Sequence, residues 1–361
     1  MKKLFLLILI LGLMVLEENS AQKDIYLLRK GKKQTIVKNP TEIIDSLKSE
    51  LSNAKNEKQK VELSINIADK YLSLSADSSI SYANNALQIA EKFQLNDITA
   101  NCYWIFAKAY GKKKNMEEVK RNLDKSMGIF EKTNNEIGIA KCNWTYGNYY
   151  DAKKDYNLAN NYYLKAIESF KKNGKRDLEI EVYLNQGNLF KRQNNIDTAI
   201  IILKNALDIA KKINQESAYI TASIELGIIY SDLSEYEVSN NYYFQALELA
   251  RELDNSDKIA RITNNIAINY DIQALYDDAL SYYKESLEIS EKMGNKRSIG
   301  LKYGNIGSVY ISLGKYENAL NSFQKALDVL DPANDKNVIQ NIYGNLGILY
   351  EIGRASCRER E

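Results

Sequence analysis

Four asparagines, Asn185, Asn265, Asn305 and Asn345, keep step with a forty-residue beat and each lies two residues before a small residue (Gly187, Ala267, Gly307, Gly347). Asn66 stands in the same relation to Ala68. A side-chain amide offers both a donor and an acceptor. A row of amides can therefore pair with the main chain of an extended peptide without demanding its sequence. Asn148 and Asn188, each directly after a small residue, can share that surface. Lys141 and Arg261, one helical turn further back, would add positive charge for a carboxylate. The competing reading is that the amides only bridge neighbouring helices or face water.

Other chemistry is sparse. The 361 residues contain no histidine, which removes His-dependent triads, His-ligated zinc and phospho-accepting histidine from this region. No phosphate loop, dinucleotide fingerprint or calcium loop occurs, so no cofactor or metal is expected. Gly304-Asn305-Ile306-Gly307 bears two glycines but sits within a helical pattern and reads as packing. A net charge of +2 gives no reason to expect nucleic acid or an acidic membrane surface. Cys102 and Cys142 occupy equivalent sites one beat apart. Packed helices lie roughly 8–10 Å apart, too far for a disulfide, so both read as buried free thiols.

The elements that must hold these residues are helices. Small and aromatic residues recur three apart on the beat, as Ala107/Tyr110, Gly147/Tyr150, Gly187/Phe190, Gly227/Tyr230, Ala267/Tyr270, Gly307/Tyr310 and Gly347/Tyr350. A second segment follows each pair but the last with its own stripe: Val119, Leu123 and Ser126 as a looser copy, then Ala159, Tyr163 and Ala166, then Ala199, Leu203 and Ala206, then Ser239, Tyr243 and Ala246. Small residues let helices approach and large ones fill the space between. The tyrosine doublets Tyr162-Tyr163, Tyr242-Tyr243 and Tyr282-Tyr283 each place one member in this core and the other on the outer face.

Together these motifs resemble the tetratricopeptide repeat, over about Val61 to Tyr350. The resemblance implies an all-α, right-handed α-α superhelical solenoid of about seven repeats plus the first helix of an eighth. It also implies that first helices line a concave groove into which the asparagines point. One departure is the period, which is usually 34 residues and is forty here; the extra residues are expected to lengthen the helices.

The flanks carry separate signals. Lys2 and Lys3 before the apolar run Leu4 to Leu16 predict a signal peptide over residues 1–21, and with it export to a bacterial periplasm or beyond. Residues 22–38 read as a flexible lead. Asn39-Pro40-Thr41-Glu42 reads as the start of a capping helix over 39–58, with Ile43, Ile44, Leu47 and Leu51 as its apolar stripe. After Tyr350 a turn and a second helix are expected. The string Ile352 to Arg360 instead matches the translation of a common sequencing-library adapter, so residues 352–361 read as foreign and the array as truncated.

Two functions fit. One is a non-catalytic interaction scaffold that binds a peptide or protein segment in the groove. The other is the extracytoplasmic sensory region of a signalling protein whose histidine kinase or DNA-binding output lies downstream. A stand-alone enzyme is not expected.

Overall fold

A computed structural model describes residues 40–358, which form sixteen α-helices and no strand. The predicted signal peptide, the lead and the Asn39 cap lie outside the described residues. The chain divides into two compact units, one within Val37–Ala218 and one within Tyr219–Glu361.

The first unit opens with α1 (Pro40–Ser52), which packs on α2 through Ile44. Four antiparallel pairs follow: α2 (Glu57–Tyr71) with α3 (Ala76–Lys92), α4 (Asn96–Lys112) with α5 (Met116–Lys132), α6 (Glu136–Ala152) with α7 (Tyr156–Lys172), and α8 (Arg176–Arg192) with α9 (Ile196–Lys212). The unit boundary falls inside α10 (Glu216–Asp232), after Ala218. The second unit continues with α11 (Tyr236–Glu252), α12 (Ser256–Ile272), α13 (Tyr276–Lys292), α14 (Lys296–Ser312), α15 (Tyr316–Val329) and α16 (Lys336–Arg358).

The long period has a simple origin. From α4 to α14 every helix is 17 residues long, and a three-residue turn follows each, so two helices and two turns make forty. The middle residue of each turn is left-handed, recurring every twenty residues from Gln94 to Gly314. Only Gly174, Gly294 and Gly314 suit that conformation without penalty; Lys114, Lys154 and Ala274 adopt it at φ near 60°. The next residue does two jobs. Asn135 donates its backbone N–H to Phe130 O (2.9 Å), closing α5, while its side chain accepts from Gly138 N (2.8 Å), opening α6.

Within each pair the small residue receives a large side chain sixteen positions on. Gly147 faces Tyr163, Gly187 faces Leu203, Gly227 faces Tyr243 and Gly307 faces Phe323, each so close that a Cβ would collide with the side chain. The receiving residues are almost fully buried, worth about 1.5–3 kcal/mol apiece in area removed from water. Cys102 and Cys142 are free and buried, and burial pushes both thiols up to about 12.

One expectation changes. The outer members of the tyrosine doublets are not free on the surface. Tyr162 stacks on Tyr150 (5.4 Å between centroids), Tyr242 on Tyr230 (5.6 Å) and Tyr282 on Tyr270 (5.7 Å). A neighbour on a helix is turned by about 100°, so the residue beside a buried tyrosine lands at the seam where the first helix presents its own aromatic. After Tyr350 the turn that closes each earlier first helix does not form. α16 runs on to Arg358, and nothing in Ile352 to Arg358 interrupts an α-helix as proline would. The last three residues lie outside the described part.

Candidate functional site

In the first unit, α4 packs directly on α2, α6 on α4 and α8 on α6; in the second, α16 packs on α14. First helices therefore stand side by side on one face of each unit. That face carries all eight residues singled out from the sequence. Lys141, Asn148, Asn185 and Asn188 belong to the first unit, and Arg261, Asn265, Asn305 and Asn345 to the second.

The asparagines are half-exposed, apart from the exposed Asn148, and most are tied sideways to the preceding first helix. Asn185 Nδ2 donates to Asn148 Oδ1 (3.0 Å), which also accepts from the Tyr163 hydroxyl (2.7 Å). Asn305 Nδ2 donates to Asn264 Oδ1 (3.3 Å) and Asn345 Nδ2 to Ser308 Oγ (3.0 Å). Asn265 reaches the Tyr243 hydroxyl, whose pKa is pushed up by burial against a small opposing pull from Ser239 and Asn265. Each bridging amide uses one N–H on its neighbour, and its own carbonyl oxygen accepts no hydrogen bond among the described residues.

The two cations differ. Arg261 Nη2 lies 2.8 Å from Glu225 Oε1, so its charge is already matched within the face. The Lys141 ammonium makes no hydrogen bond or ion pair among the described residues, while its main-chain oxygen accepts from Thr145 Oγ1 (2.9 Å). Its ammonium lies 5.0 Å from the centre of the Trp104 ring, and Lys108 lies 4.2 Å from the same ring while pairing with Asp69 at 3.0 Å. Burial first, then the Lys108 charge, holds the Lys141 pKa below its ordinary value. Trp104 itself is pinned by donating to Thr145 Oγ1 (2.8 Å).

The sequence reading missed several partners. Asn264 and Ser308 join the amide rows, and Asn269 is buried at the centre of its own network. Its Nδ2 donates to Ser239 Oγ (2.8 Å) and Asn240 Oδ1 (2.7 Å), while its Oδ1 accepts from Ser231 (2.6 Å). Lys108, Asn148, Asn188 and Ser308 share the register just after the small residue, a signal the beat already contained. No cluster of three potential metal ligands occurs among the described residues, and none of their helices is long and apolar enough to cross a membrane.

Comparison with known proteins gives one extended match. Residues 31–246, more than half of the chain, match the SusR N-terminal TPR domain. Residues 218–292 and 303–329 match further tetratricopeptide repeat families. No curated protein sequence matches.

Solved structures share the fold at low identity. A signal-transduction ATPase with numerous domains and a tetratricopeptide repeat sensor, from Pyrococcus horikoshii, is 20% identical (TM-score 0.63, covering 79% of this chain and 44% of that one). The present chain thus spans less than half of that protein. Aspartyl phosphate phosphatase F from Bacillus subtilis is 15% identical (TM-score 0.57, 84% and 85%). The apo quorum sensor NprR from B. thuringiensis is 16% identical (TM-score 0.54, 82% and 83%) and has also been solved with its cognate peptide NprX.

Proposed function

The chain belongs to the family of the SusR N-terminal tetratricopeptide repeat domain, and from that premise we propose that it is a non-catalytic scaffold gripping an extended peptide or protein segment on its first-helix faces. The observation that carries this reading is the half-exposed amide ladder. Asn185, Asn305 and Asn345 are oriented by hydrogen bonds to the preceding first helix and keep carbonyl acceptors available. Such acceptors suit main-chain N–H groups of any sequence, so affinity would come from the ladder and specificity from what lies beside it. Lys141 offers the unmatched charge for an acidic group on the ligand. NprR, which shares the fold, is described with a cognate peptide.

The sensory reading has its own support. The matching family describes an N-terminal domain, and the P. horikoshii relative carries its tetratricopeptide repeats as a sensor. In that reading the same face binds the signal, and an output domain lies elsewhere in the protein. The basic and apolar residues of 1–21 support export, with the scaffold working in the periplasm or outside the cell.

Selection of a random-peptide display library on the full chain tests the proposal. Enriched peptides whose binding falls in an Asn265→Ala/Asn305→Ala variant are expected. Failure to enrich any sequence would overturn it.

A further inference from the structure

A cavity of about 590 Å³ opens on the first-helix face between α14 and α16, within the ~300–1,000 Å³ range of ligand pockets. Two glycines make it. Gly304 and Gly344 occupy the register held by Trp104, Trp144 and Leu184 in the first unit and by Ile224 and Asn264 in the second. A Cβ at Gly344 would meet nothing within 4 Å, and one at Gly304 would make only ordinary contact with Ile342. Neither glycine is therefore required by helix packing. Gly147 and Gly307 differ, since the same atom there would strike an aromatic ring.

The walls have a definite chemistry. No lining side chain is ionisable. Ile342 is buried at the cavity wall, and Leu301 and Ile348 are exposed at its edges. The polar members are directed by a relay: Asn345 Nδ2 donates to Ser308 Oγ, which donates to Gly304 O (3.1 Å). With its Nδ2 so engaged, Asn345 keeps Oδ1 as an acceptor at the cavity. Asn305 is set the same way by Asn264. An uncharged lining, apolar at Val338 and Ile342 and carrying the amides of Asn305, Gln340, Asn341 and Asn345, complements an apolar side chain flanked by main-chain N–H groups. It disfavours a charged side chain, which would be desolvated with no counter-charge.

We propose that this cavity is the specificity subsite of the peptide-binding face, taking one uncharged aliphatic side chain while Asn305 and Asn345 accept hydrogen bonds from the flanking main chain. The inference rests on the peptide-binding reading above and adds the class of residue selected and its place on the chain.

The test uses four acetylated, amidated pentapeptides, Ala-Ala-X-Ala-Ala with X as Leu, Ala, Asp or Lys. Each is titrated into the full chain while the side-chain amide resonances of Asn305 and Asn345 are followed. The Leu peptide should bind about tenfold or more tightly than the Asp and Lys peptides, the gain set by burying one aliphatic side chain. Gly344→Leu, whose Cβ meets nothing within 4 Å and whose side chain takes up space in the cavity, should erase that preference with helicity unchanged. Equal binding of all four, or a preference that survives Gly344→Leu, would overturn the subsite. If equal binding still weakened in Asn265→Ala, the peptide-binding face would stand without it. No response from any pentapeptide also overturns the subsite, and the face is then judged by the library selection alone.

Discussion

The Asn148 side-chain oxygen accepts two hydrogen bonds at once, from Asn185 Nδ2 at 3.0 Å and from the Tyr163 hydroxyl at 2.7 Å. One amide thus joins a first-helix residue of the next repeat to a core tyrosine of its own. The exposed ladder and the packing beneath it are therefore linked at this point. Asn148→Ala strands a phenol buried against Gly147 and should cost about 1–3 kcal/mol. Asn185→Ala removes only a half-exposed bond and should cost about 1 kcal/mol or less. Urea unfolding of the two variants measures the ordering, and equal losses would show that Tyr163 does not depend on Asn148.

Glycines at the two kinds of site should respond in opposite directions. Gly147→Ala forces a methyl into the Tyr163 ring and should destabilise by about 1–3 kcal/mol. Gly344→Ala meets open space in a helix and should stabilise by about 0.5–1 kcal/mol. Thermal melts of both variants, run beside the wild type, read the signs directly.

Lys302 stands where Cys102, Cys142, Val182 and Ile262 lie in other repeats, and it is only 7% exposed. Desolvation lowers its pKa below 10.5, against a weaker opposing pull from Asp257. The unfolded chain therefore binds this proton more tightly than the folded one. The penalty is full below the folded-state pKa and is relieved as pH rises from there towards 10.5. Lys302→Met should stabilise by about 1 kcal/mol or more at neutral pH. Its advantage over wild type should shrink as denaturation is repeated up to pH 10.

Ala274 holds a left-handed turn conformation at φ 58°, where its equivalents Gly294 and Gly314 carry no Cβ. Relief of strain should exceed the extra entropy of the unfolded chain, so Ala274→Gly should raise stability by a few tenths of a kcal/mol, up to about 1. Differential calorimetry of the variant checks this, and a lowered melting temperature would contradict it.

The repeat was legible because its physics is periodic. Ala107, Gly147 and Gly187 announce close approach, and Leu123, Tyr163 and Leu203 announce what fills the gap. Position along the helix follows from spacing alone. Lateral pairing does not, because it joins residues about forty apart whose reach depends on the angle between helices. Asn305 could be placed on a face from the sequence, but its bond to Asn264 could not. Tyr162 was misread over a shorter span, since its stacking partner Tyr150 lies twelve residues back on the other helix of the same pair, across the seam. The cavity was hidden more deeply. Gly304 and Gly307 look alike as letters in a helical pattern, and only the neighbouring side chains distinguish a glycine that seats an aromatic from one that leaves a space.

The central claim is that the half-exposed amides grip a ligand's main chain. Its most direct measurement is calorimetric titration of a library-selected peptide into the wild type and into Asn265→Ala/Asn305→Ala. Two lost hydrogen bonds at about 0.5–1.5 kcal/mol each predict an affinity lower by roughly five- to 150-fold, with the helical fold retained although the buried Tyr243 hydroxyl loses Asn265 as a partner. Unaltered affinity in a folded variant would contradict the claim and leave these asparagines as ties between helices.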